Sequence, residues 1–187
     1  MCCLMMGRKL GSMKKSWREY KMLKYKVGDL LEAAVAGEVN VIAHGCNCYC
    51  TMGNGIAPQI KKRFPAAYAT DLGTVKGDPK KLGTFTYAQV WADECGGDSN
   101  HAIGIYNLYT QFGFWGRNKG LRDLDYNALY NALAAMSEDL STFDGEIKVG
   151  LPKIGAGLAS GDWDIIEMMI KKTLISAGHD VTIYTLE

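Results

Sequence analysis

Residues Val39 to Phe64 read VNVIAHGCNCYCTMGNGIAPQIKKRF. The segment begins apolar and β-branched, with Val39, Val41 and Ile42, which suits a buried strand. It then turns small and polar at His44-Gly45-Cys46-Asn47-Cys48, and a Gly53-Asn54-Gly55 turn follows. Ile56, Ile60 and Phe64 recur every fourth residue, and Lys61, Lys62 and Arg63 close that helix with basic charge that complements its dipole. The order is strand, glycine-rich loop, helix. Such a loop presents backbone N–H groups and the positive end of a helix, and anionic phosphates bind there. The same glycines also serve an ordinary tight βα connection, so the count alone does not choose.

Outward from this segment, strands alternate with helices. Met22 to Val27 reads as an edge strand, ended by Gly28-Asp29-Leu30, and Leu30 to Ala36 as a short helix. Pro65 opens another short helix through Leu72. Thr84 to Ala92 and Ala102 to Thr110 form a strand pair around a polar hairpin turn. Gln111 to Arg122 is a glycine-bearing loop with aromatic residues, and Phe112 and Trp115 are placed to cover a site. Leu129, Leu133, Met136 and Leu140 mark a helix, and Ile147 to Leu151 a strand. Lys153 to Gly161, KIGAGLASG, is a second glycine-rich loop. Asp162 is an N-cap for a helix carrying Trp163, Ile166, Ile170 and Leu174, and Val181 to Leu186 is the last strand. This pattern predicts an α/β fold with helices on both faces of a mixed sheet.

The totals fit one domain. The chain has 187 residues, 48% of them apolar, and no apolar run reaches the ~18 residues of a membrane helix. No membrane association is expected, and the reading is a cytoplasmic protein with reduced thiols. Residues 1–26 hold eight Lys/Arg against one acid, Glu19, so the N-terminal arm is basic and the remainder mildly acidic. Residues 1–21 are read as a disordered extension without assigned function, and 22–187 as the domain. Nucleic acid is not an expected partner, and a monomer is expected.

Both glycine loops follow strands and precede helices, so they converge at the carboxyl edge of the sheet, where ligands bind. The usual nucleotide signatures are missing: there is no G-x-x-x-x-G-K-[ST] and no G-x-G-x-x-G. A standard NTPase or dehydrogenase is thereby excluded. His44, Cys46, Cys48 and Cys50 are spaced too tightly for a typical zinc site, so no metal or other cofactor is expected. Six residues beyond Cys46 stands Met52, not arginine, which excludes a cysteine-phosphatase loop. Asp123-Leu124-Asp125-Tyr126 gives no support to an aspartyl-phosphate route.

The order of motifs resembles the macro domain, an ADP-ribose-binding family with a three-layer α/β/α fold. The match runs through Gly28-Asp29-Leu30, Ala43-His44-Gly45-Cys46-Asn47, Met52-Gly53-Asn54-Gly55-Ile56-Ala57, Leu151-Pro152-Lys153-Ile154-Gly155-Ala156-Gly157-Leu158 and the strand Val181 to Leu186. H-x-C-N-C leading to M-G-x-G-I-A is most similar to the ADP-ribose 1''-phosphate phosphatases. The resemblance implies ADP-ribose or its 1''-phosphate as ligand and release of phosphate as activity. Its rivals are a non-catalytic ADP-ribose-binding module and a hydrolase that removes ADP-ribose from macromolecules. Asp29, beside Leu30, is expected to accept from the adenine amino group, and Tyr184 to lie near the adenine. Asn47 is expected at the distal ribose, with Gly53, Asn54, Gly55 and Ile56 near that ribose and its phosphate, and Ala43 is a further expected ligand-binding residue. Gly155, Ala156, Gly157 and Leu158 are expected around the pyrophosphate, and Ile154 beside them is also an expected ligand-binding residue. The related glutamate hydrolases carry a lysine and an aspartate where this chain has Gln111 and Ala159, which argues against that route. The candidate catalytic residues are His44, Asn47 and Asp162. His44 is read two ways, as an acid/base group titrating near pH ~6.5 or as a structural residue. His101 and His179, at strand starts, are read as surface residues.

Overall fold

The computed structural model describes residues 22–116 and 119–186. The basic extension, with Cys2 and Cys3, lies outside the described residues. In chain order the elements are β1 (Lys24–Val27), α1 (Leu30–Val35), β2 (Val41–Asn47), α2 (Ala57–Arg63), α3 (Pro65–Leu72), β3 (Phe85–Trp91), β4 (Ala102–Gln111), α4 (Tyr126–Leu140), β5 (Lys148–Pro152), α5 (Trp163–Ile170) and β6 (Asp180–Thr185). A π-helical turn, Lys171–Ile175, continues α5. The six strands form one sheet in the order β1-β6-β5-β2-β4-β3. Every pairing is parallel except β3 with β4, the expected hairpin.

Helices cover both faces, which makes three layers. On one face Val41, Ala43, Tyr106 and Leu108 pack with Leu129 and Leu133 of α4 and Ile166 and Ile170 of α5. On the other, Ile42, Ile103 and Ile105 pack with Leu31 and Ala34 of α1, Ile60 of α2 and Ala67 of α3. Burial on two faces explains why β2 and β4 read as nearly unbroken apolar runs rather than alternating ones. Phe64, fully buried, ends α2, and Pro65 restarts the chain as α3. The carboxyl ends of β2, β4 and β5 lie together, so the segments that follow them share one edge of the sheet.

Two details differ from expectation. His179 is buried rather than on the surface, because its Nε2 lies 3.1 Å from Ser137 Oγ and ties the start of β6 to α4. His101 is half-buried, with Nε2 donating to Ala34 O at 2.9 Å.

Candidate functional site

At that edge lies a cavity of about 500 Å³, with a smaller one of about 370 Å³ beside it. Volumes of this size suit a small-molecule ligand. Gly55, Ile56, Pro152 and Lys153 line both, so the two form one elongated cleft.

The larger cavity is walled by the two glycine loops. Gly53, Asn54, Gly55 and Ile56 stand on one side; Ile154, Gly155, Gly157 and Leu158 stand on the other. Gly55 and Gly155 have φ of 63° and 73°, a region that glycine enters without strain. Among the described residues, none accepts a hydrogen bond from the backbone N–H groups of Gly53, Asn54, Gly55, Gly157 or Leu158. Such unpaired donors across a cavity form an anion-binding surface.

Asn47 borders this cavity, but its amide organises the loop as well. Oδ1 accepts from the Tyr49 N–H at 2.9 Å and from Thr51 Oγ1 at 3.0 Å, while Nδ2 donates to Thr51 O at 3.0 Å. His44 also borders the cavity yet is 1% exposed. Asn107 Nδ2 donates to Ala67 O at 2.7 Å, so Asn107 Oδ1 faces His44 and accepts from its Nε2 at 2.8 Å. That contact fixes the proton on Nε2. Burial pushes the His44 pKa down, against the hydrogen bond to Asn107. His44 is therefore a neutral, hydrogen-bonded part of the sheet, which fits its structural reading, with a side-chain amide as partner.

The smaller cavity is lined by Asp29, Leu30, Gln59 and Tyr184. Asp29 caps α1: Oδ1 accepts from the Leu31 N–H at 2.7 Å and the Glu32 N–H at 3.2 Å. The Tyr184 hydroxyl donates to Glu38 Oε2 at 3.2 Å, and burial and that carboxylate push its pKa up to about 12.

Three expected site residues stand elsewhere. Asp162 does not line the cleft: its Oδ1 accepts from the Asp164 N–H at 2.9 Å, and it serves α5 as N-cap. Ala43 is 1% exposed within the sheet core, and Ala156 packs against that core. Phe112 and Trp115 pack edge-on against Tyr49, and it is Phe114 that lines the cavity. Cys48 and Cys50 lie away from the cleft: the buried Lys81 ammonium is 3.2 Å from Cys50 Sγ and donates to Cys48 O at 3.3 Å.

The sequence motifs did not point to Thr110 or Phe114, nor to Asp123 or Lys153 as site residues, yet all four line the larger cavity. Asp123 accepts from the Gly116 N–H through both carboxylate oxygens, at 2.9 and 3.1 Å. Thr110 Oγ1 is buried with no hydrogen-bond partner among the described residues. A side chain at Gly45 would put its Cβ 2.9 Å from that hydroxyl, so a glycine is what fits there. Burial holds the Cys46 thiol well above its usual pKa. With His44 and Cys46 both neutral, the charged side chains lining the larger cavity are Asp123 and Lys153 among the described residues.

No protein-family model matches the chain. It is 36% identical over 147 residues to an uncharacterised 17.5 kDa protein from the tk-vs intergenic region of Enterobacteria phage T4, covering 78% of this chain and 86% of that one. It is 31% identical over 167 residues to the ADP-ribose 1''-phosphate phosphatase of Debaryomyces hansenii, covering 81% and 93%. Among solved structures, a macrodomain protein from Streptomyces coelicolor superimposes with a TM-score of 0.64 at 26% identity, covering 89% of this chain and 100% of that one.

Proposed function

The chain belongs to the macro domain family, on the branch of the ADP-ribose 1''-phosphate phosphatases, and from that membership we propose that it binds ADP-ribose along this cleft and hydrolyses its 1''-phosphate. One observation carries the binding: two glycine loops with unpaired N–H groups face each other across a cavity that continues into a second. The adenine takes the smaller cavity, beside Asp29 and Tyr184. The pyrophosphate takes the shared waist, and the distal ribose the larger cavity.

Asp123 is the group on that wall able to move a proton. Two contacts from the Gly116 N–H, at 2.9 and 3.1 Å, hold its carboxyl group in place at the cavity wall. Water gives a proton to Asp123 as its oxygen bonds to phosphorus. The bond from phosphorus to the 1'' oxygen breaks, that oxygen takes up a proton from solvent, Asp123 releases its own proton to solvent, and ADP-ribose and phosphate are the products. The unpaired loop N–H groups offset charge on the transferring phosphoryl group. Asn47 holds the loop in register around it.

A second reading, a module that binds ADP-ribose without chemistry, has one observation in its favour. Asp123 faces the distal end, where a phosphate meets like charge. Removal of ADP-ribose through a lysine has no such support, since Gln111 and Ala159 occupy the wall where that route needs lysine and aspartate.

Phosphate release by the parent protein separates the readings, and the variant Asp123→Asn tests the role of that residue. Phosphate release from ADP-ribose 1''-phosphate is expected to fall by about 10²-fold or more, the size of a lost acid–base contribution, with ADP-ribose affinity largely kept. Unchanged release in the variant would remove Asp123 from the mechanism.

A further inference from the structure

The charges along the cleft alternate. Asp29 lines the smaller cavity, Asp123 the larger, and Lys153 lines both. Among the described residues lining either cavity, Lys153 is the one cation. The others at the waist, Gly55, Ile56 and Pro152, carry no formal charge.

Lys153 is well placed to serve that waist. It directly follows β5, and its carbonyl accepts from the Ala156 N–H at 3.3 Å, which folds the second glycine loop back beside it. Its side chain is exposed, and its ammonium lies 5.6 Å from the centre of the Trp163 ring. That is close to the ~6 Å limit of a cation–π contact, so the hold is weak. A flexible four-carbon stem lets the ammonium swing from Trp163 toward the waist at little cost.

We propose that Lys153 is a specificity-determining residue of the cleft, whose ammonium pairs with the diphosphate of the ligand and selects for two phosphates between base and distal ribose. This rests on the ADP-ribose reading of the site. The charge pattern matches such a ligand part by part. For ADP-ribose itself, the acids stand at the ends, where it offers an amine and hydroxyls, and the cation stands at the middle, where it offers an anion; the 1''-phosphate of the substrate falls to the loop N–H groups. Loop N–H groups contribute directional but partial charge; Lys153 contributes a whole one.

The test compares adenosine, ADP and ADP-ribose with the parent protein, Lys153→Gln and Lys153→Arg, at low and high salt, by calorimetric or chemical-shift titration. Lys153→Gln is expected to weaken ADP and ADP-ribose about tenfold, the size of one charge-assisted contact, and to leave adenosine unchanged. The salt dependence of ADP binding should flatten in that variant, and Lys153→Arg should keep most of the affinity. Equal ADP affinity in Lys153→Gln overturns the assignment while leaving ADP-ribose binding in place. An equal loss for adenosine overturns it too, because the side chain would then shape the pocket rather than read charge. A parent protein that does not bind ADP-ribose overturns this inference together with the reading beneath it.

Discussion

His44, buried and bonded to Asn107, ties the sequence motif to stability. Its folded pKa is depressed by burial, so the neutral form is favoured in the native state. Between the folded value and the unfolded value near ~6.5 the unfolded chain binds more protons, and stability rises with pH. The contribution of His44 is therefore complete above about pH 6.5 and is lost as pH falls through the folded pKa. Urea melts of the parent at a series of pH values should show midpoints falling below that point. In His44→Gln, which keeps a polar side chain but does not titrate, this part of the acid sensitivity should disappear. An unchanged pH profile in the variant would mean that other groups govern it.

At the level of elements, the strands and both glycine loops were legible because each is encoded locally. β2 reads from its apolar run, its loop from glycines, and α2 from the spacing of Ile56, Ile60 and Phe64. The site wall made by Thr110, Phe114 and Asp123 was not legible, because its position depends on contacts distant in sequence. Gln111 bridges to Leu124, and the Leu124 N–H donates to Ala159 O at 3.1 Å, so the second glycine loop sets where Asp123 stands. Asp162 was legible in its local role, the N-cap of α5, because capping is encoded by neighbouring residues. β5 and α1 offer a test of how tightly elements shape the adenine end. A Cβ at Gly150 would lie 2.5 Å from Leu30 Cδ1 and 3.0 Å from Val39 Cγ2. Val39 is stiff, so Leu30 must yield, and Leu30 lines the smaller cavity. Gly150→Ala should cost about 1–3 kcal/mol in equilibrium unfolding and weaken adenosine binding. Parent-like stability and affinity would show that α1 can move freely off the sheet.

Across the whole molecule, the sheet order brings the ends of β2, β4 and β5 beside the start of α1 and the end of β6. One continuous cleft results, with acid, cation and acid along its length. In the proposed reading, a single ligand spans both cavities. Bound ADP-ribose should therefore raise the melting temperature more than adenosine does at equal concentration, since tighter binding to the native state stabilises it further. The most direct measurement is to incubate the protein with ADP-ribose 1''-phosphate and follow ADP-ribose and inorganic phosphate together. The two products should appear in equal amounts, and added ADP-ribose should slow their formation. ADP-ribose bound in the cleft with no phosphate released would contradict the proposed hydrolysis.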